Sequence, residues 1–136
     1  MAVGAVTAGV AAAPPAAAAV HCDNWTSQSA HGTQYSWLVP SVGNNTGQTN
    51  CVLSLDDYNN TAVWVLQLAL NECYGQGLTH DGDYGPSTRQ AVVNVQTFHG
   101  FPPADRDGVY GPQTRNAMEF PAFSAGGTFL GCWWWV

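Results

Sequence analysis

The chain has 136 residues, with 3 Lys+Arg against 9 Asp+Glu, a formal net charge of −6, 46% hydrophobic and 12% aromatic residues. That length holds one ordinary domain. The lack of a basic face excludes nucleic-acid binding and a polybasic membrane contact, and six Trp, five Tyr and five Phe exclude a disordered chain.

Residues 1–19 carry no charge and are mostly Ala, Val and Gly. They read as a signal peptide, with Ala17 and Ala19 forming an A-x-A cleavage site before Val20. Pro14-Pro15 interrupts a stretch already short for a membrane-spanning helix. Residues 20–58 form an N-terminal extension rich in Ser, Thr, Asn, Gly and Gln. Within it the stretch at 35–39 alternates loosely as a short strand. N-x-T sites at Asn24, Asn44 and Asn59 are glycosylation acceptors only in a eukaryotic secretory pathway.

From Asn59 the period changes. Val63, Leu66, Leu70 and Cys73 fall at helical spacing and predict a helix over 61–73. Asn60 or Thr61 caps its start, and Gly75 and Gly77 stop it. An internal repeat follows. The twelve residues from Asp81 match those from Asp107 at eight positions, sharing D-G-x-Y-G-P-x-T-R-x-A. Asp-Gly makes a tight turn. Gly-Pro opens a helix, because proline costs no hydrogen bond at the first helical position. The first copy launches a helix over 86–99, with Ala91, Val92, Val95 and Phe98 inward, ended by Gly100 and Pro102-Pro103. The second launches a shorter helix over 112–120, ended by Pro121. The aromatic tail, residues 121–136, contains Trp133-Trp134-Trp135. Three successive Trp cannot all face one core, so part of the tail is expected on the surface or in a partner. Residues 128–135 are expected to pair with the strand at 35–39.

The stretch from Ala62 to Asn71, the two D-G-x-Y-G-P-x-T turns and Val95-Gln96-Thr97-Phe98-His99-Gly100 between them together resemble the peptidoglycan-binding domain 1 family, over about residues 59–120. The Cys before the first helix and the Cys-Tyr at its end look like a variant found in secreted actinobacterial proteins. The resemblance implies a mainly α fold: a three-helix bundle, here with a short β element from the two extensions and two disulfides. It also implies peptidoglycan as the ligand.

The expected function is that of a secreted, non-catalytic module, extracellular or cell-wall associated, that binds peptidoglycan. The alternative is a secreted adaptor that binds a protein partner through its N-terminal extension and Trp-rich tail. Neither reading involves nucleic acid, nor membrane insertion after processing. No H-E-x-x-H, C-x-x-C or G-x-S-x-G motif is present. His21, His31, His80 and His99 lack metal-ligand spacing, and no cofactor or metal is expected. The candidate ligand-binding residues are the repeat pairs: Asp81 and Asp107, Tyr84 and Tyr110, Thr88 and Thr114, Arg89 and Arg115. Tyrosines would offer flat apolar surface, Thr hydroxyls hydrogen bonds, and helix N-termini a place for a stem-peptide carboxylate. The competing role for the glycines, prolines and tyrosines is to build the turn, and for the arginines to form surface ion pairs. Four Cys in a small chain with few basic residues point to an oxidising compartment. Of three pairings, Cys51–Cys73 and Cys22–Cys132 are expected, with the second clamping the chain's two extensions together.

Overall fold

The computed structural model describes residues 19–29 and 36–134. Most of the expected signal peptide (residues 1–18), His31, Tyr35 and Trp135 lie outside the described residues. The element order is β1 (Asn24–Ser29), β2 (Ser36–Ser41), α1 (Thr61–Tyr74), α2 (Pro86–Phe98), a 3-10 turn (Pro103–Asp105), α3 (Pro112–Ala117), β3 (Glu119–Phe123) and β4 (Phe129–Trp134).

The helices begin as the sequence indicates. Asn60 caps α1, its side-chain oxygen accepting from Ala62 N at 2.8 Å. Gly75 closes the helix at φ 61°, a left-handed conformation that glycine adopts without strain. Eight of the fourteen α1 residues are buried, because a sheet covers one side and α2 another. Ala91, Val92 and Val95 of α2 face inward, whereas Phe98 is 75% exposed, contrary to expectation. Its ring meets Tyr74 and His99 edge-on at the surface.

The fold is not mainly α. Helix accounts for only 33% of the described residues and strand for 23%, in one four-stranded antiparallel sheet ordered β1-β2-β3-β4. The helix expected to reach residue 120 stops at Ala117. Met118 turns to extended backbone, and the chain enters β3. β1 and β2 form a ladder from Asn24↔Ser41 to Ser29↔Ser36. Among the described residues β2 and β3 pair at Ser36↔Phe123 and Trp37↔Ala122, so that pairing ends before Pro121, which has no N–H to offer. The tail pairs with β3, from Glu119↔Trp134 to Phe123↔Phe129, and not with the strand at 35–39. β3 occupies the place between them.

This topology also corrects the disulfide pairing. The bonds are Cys22–Cys51 and Cys73–Cys132. Cys22 N donates to Val52 O at 3.0 Å and Val52 N to Val20 O at 2.9 Å, which lays the two segments side by side with Cys22 and Cys51 Cα atoms 5.1 Å apart. Cys73 lies in the last turn of α1, against the sheet edge that carries Cys132.

One core joins all of these segments. Trp37 and Val39 of β2 and Phe120 and Ala122 of β3 cluster with Val63, Leu66 and Leu70 of α1 and with Tyr84 and Tyr110. The residues expected as an N-terminal extension and a tail therefore share the module's interior.

Candidate functional site: two latched turns and their grooves

Each Asp-Gly turn is held by a buried glutamine from the preceding helix. Gln67 of α1, 1% exposed, donates Nε2 to Asp81 Oδ1 (3.0 Å), Asp83 O (3.1 Å) and Thr88 Oγ1 (3.1 Å). Its Oε1 accepts from Asp81 N and Gly82 N at 3.1 and 3.0 Å. Gln96 of α2 does the same for the second turn, donating to Asp107 Oδ1 (3.2 Å), Val109 O (3.1 Å) and Thr114 Oγ1 (3.0 Å) and accepting from Gly108 N (3.0 Å). A side-chain amide has two donor hydrogens and two acceptor lone pairs, and here it saturates a turn that no strand ladder satisfies. Each aspartate then folds back on its own turn: Asp83 N donates to Asp81 Oδ1 at 2.9 Å and Val109 N to Asp107 Oδ1 at 3.0 Å. Gly82 and Gly108 sit at φ 74° and 71°. A Cβ on Gly82 would meet Asn60 O at 3.1 Å, and one on Gly108 the Arg89 Cγ at 2.5 Å.

Beside each turn the surface is concave. A groove of about 490 Å³ runs along the first, lined by Asp81, Asp83, Ser87, Thr88 and by Gln76 and Asn94, whose side chains bond each other at 2.9 Å. A smaller groove of about 200 Å³ flanks the second, lined by Asp105, Asp107, Gln113 and Thr114.

The sequence-predicted residues divide between groove and interior. Asp81 and Asp107 are exposed on the two rims. The hydrogen bond from Gln67 and that from Asp83 N hold the Asp81 carboxyl below its usual range. Thr88 and Thr114 line the grooves but are 3% exposed, with their hydroxyls already bonded within the turn. Tyr84 and Tyr110 have no exposed surface. Burial pushes both phenols up, and neither ring is open to a ligand. Their backbones pair with the segment before α1: Tyr84 N donates to Asp57 O at 2.8 Å, and Leu53 and Tyr110 exchange bonds of 2.8 and 2.9 Å. Arg115, 9% exposed, bonds Thr49 O (2.8 Å), Thr49 Oγ1 (2.8 Å) and Asn50 Oδ1 (2.9 Å), a stitch between α3 and the N-terminal region. Arg89 is exposed, its stem lying over Gly108, and lines neither groove.

Gln67 and Gln96 escaped the sequence reading. The signal was a lone amide inside an apolar helical run, Leu66-Gln67-Leu68 and Val95-Gln96. Among the described residues no three His, Cys, Asp or Glu side chains are grouped as a metal site requires, and no helix is long and apolar enough to cross a membrane.

Residues 59–118 match the model of the family described as "Putative peptidoglycan binding domain". Both turns and α1 and α2 lie within that match, as does α3. No curated protein and no solved structure matches the chain.

Proposed function

We propose that this chain, whose residues 59–118 are a peptidoglycan-binding-family module, is a secreted, non-catalytic protein that holds cell-wall peptidoglycan in the larger groove. The observation that carries the reading is the Gln67-latched turn. It fixes Asp81, Asp83 and the start of α2 around a polar groove within the matched segment. Amide, hydroxyl and carboxylate groups line that groove, the inventory that recognises a polar polymer by hydrogen bonds. Two disulfides support an oxidising location outside the cytoplasm.

Purified sacculi should retain the wild-type protein in a pull-down and release no soluble fragments during the incubation. Ser87→Trp with Gln90→Trp fills the groove from two exposed positions on α2. Retention should fall at least tenfold while circular dichroism stays unchanged. Equal retention of wild type and variant, or no retention of wild type, rejects the reading.

A second reading rests on β4. Phe129, Leu130, Trp133 and Trp134 are 39–55% exposed on an edge strand, a surface suited to a protein partner. On that adaptor reading the protein is captured stoichiometrically with a partner from culture medium and shows no affinity for sacculi.

A further inference from the structure

The lining of the larger groove carries a sign. Asp81 and Asp83 stand on it as carboxylates, and the remaining polar groups are neutral amides and hydroxyls. No Lys or Arg lines it. Of the three basic side chains in the sequence, Arg115 is consumed by Thr49 and Asn50, Arg106 donates to Phe101 O at 2.8 Å, and Arg89 lies over Gly108.

The carboxylates are also oriented. Asp81 Oδ1 is taken by Gln67 Nε2 and Asp83 N, and Asp83 Oδ1 by Asn59 N at 2.8 Å. Among the described residues, Oδ2 of each receives no hydrogen bond from the protein. Each side chain is therefore held by one oxygen with the other left as an acceptor. The smaller groove repeats the pattern: Asp107 Oδ1 is taken by Gln96 and Val109 N, Asp105 stands beside it, and again no basic residue lines the space. Such a groove repels a carboxylate and attracts an ammonium, and an amine with three N–H donors matches free acceptor oxygens directly.

Peptidoglycan offers neutral sugars, stem-peptide carboxylates and the primary amine of a diamino acid. Only the last is cationic. We infer that the larger groove takes the side-chain ammonium of the stem peptide's diamino acid, so that recognition is of the peptide and not of the glycan strand. This rests on the peptidoglycan-binding reading above. It also replaces the expectation that a stem carboxylate docks at the helix N-termini, because Asp81 and Asp83 oppose an anion there.

The test uses the full chain and three preparations of sacculi that carry free diamino-acid amines: untreated, N-acetylated, and amidated at their carboxyl groups. Acetylation should weaken binding at least tenfold, whereas amidation should leave it unchanged or tighten it. Asp81→Asn with Asp83→Asn preserves the Oδ1 acceptors that hold the turn while removing both charges. It should bind untreated sacculi at least tenfold more weakly and lose its discrimination between untreated and acetylated material. Equal binding of the wild type to untreated and acetylated sacculi overturns the inference and leaves the groove reading intact. So does loss of binding on amidation. No binding to any preparation overturns the groove reading and the inference together.

Discussion

The Tyr84 hydroxyl donates to the Gly108 carbonyl at 2.6 Å, so the tyrosine of the first turn fastens the second. Tyr110 holds the corresponding place in the second turn, but its hydroxyl is buried with no hydrogen-bond partner among the described residues. Among the described residues no third Asp-Gly turn follows to receive it. The two phenols look alike in sequence and are opposite in energy. Tyr84→Phe removes a bond and strands a carbonyl, at a cost of about 1–3 kcal/mol. Tyr110→Phe relieves an unsatisfied hydroxyl and should be neutral or slightly stabilising. Urea unfolding of both variants with disulfides intact measures the difference. Equal losses would show that the two hydroxyls are equivalent.

Gln67 gathers five hydrogen bonds in the core. Replacing it with leucine keeps the volume and removes every one. The Gly82 N–H would be left buried without its partner and Thr88 Oγ1 would keep only its bond to Asp83 O, so Gln67→Leu should cost at least about 3 kcal/mol. Gln96→Leu, which removes four bonds, should cost nearly as much. Gln67→Glu is the informative control, since an ionised carboxylate has no N–H for Asp81 and meets its charge instead. It should be worse than leucine above pH 6. Thermal melts of the three variants give the ranking.

The helical half of this fold was legible because its signals are local. Asn60, Gly75, Pro86 and Pro112 mark helix ends by properties of one residue and its neighbours. The sheet was hidden for a different reason. β3 reads as the continuation of a helix into a proline, and only its pairing with Trp133 and Cys132 makes Phe120 and Pro121 extended. Pairing is non-local, as are the disulfides that depend on it. For the site, the D-G-x-Y-G-P-x-T pattern located both turns, but pattern alone does not separate rim from interior. Tyr84 and Asp81 belong to the same motif, and one is wholly buried while the other is exposed.

His99 gives the protein an acid-sensitive contact. Its Nε2 lies 2.7 Å from the Tyr74 hydroxyl, which accepts the Glu119 N–H at 2.8 Å. Tyr74 therefore has its own proton to give His99, and the imidazole must be neutral at Nε2 to accept it. Burial pushes the Tyr74 phenol up to about 12. It also holds the His99 imidazole below its ordinary value of 6.5, with the Glu119 carboxylate opposing. A histidine with a lowered folded-state value contributes stability that is complete above the unfolded value and is lost as pH falls through the folded one. The melting temperature should therefore fall as pH drops below about 6.5. His99→Gln retains an acceptor that does not titrate, and should flatten this part of the profile. An unchanged profile in the variant would assign the acid sensitivity elsewhere.

The two disulfides should contribute through the segments they close. Cys22 and Cys51 are 29 residues apart and Cys73 and Cys132 are 59 apart. Loop-closure entropy gives about 3.5 kcal/mol for the first and about 4 kcal/mol for the second. Their structural consequences differ more than these figures do. Cys22–Cys51 links segments already bridged by backbone bonds at Val52, so Cys22→Ala with Cys51→Ala should lower stability while the far-ultraviolet spectrum stays native. Cys73–Cys132 ties the end of α1 to β4, an edge strand whose only ladder among the described residues is with β3. Cys73→Ala with Cys132→Ala should let β4 fray, with faster amide exchange over residues 129–134 than over α1 and α2. Non-reducing peptide mapping of the wild type checks the pairing itself, and hydrogen exchange on the two double variants checks the asymmetry. If β4 amides stay as protected without Cys73–Cys132 as with it, the β3 ladder alone holds the strand, and the bond acts only on the unfolded chain.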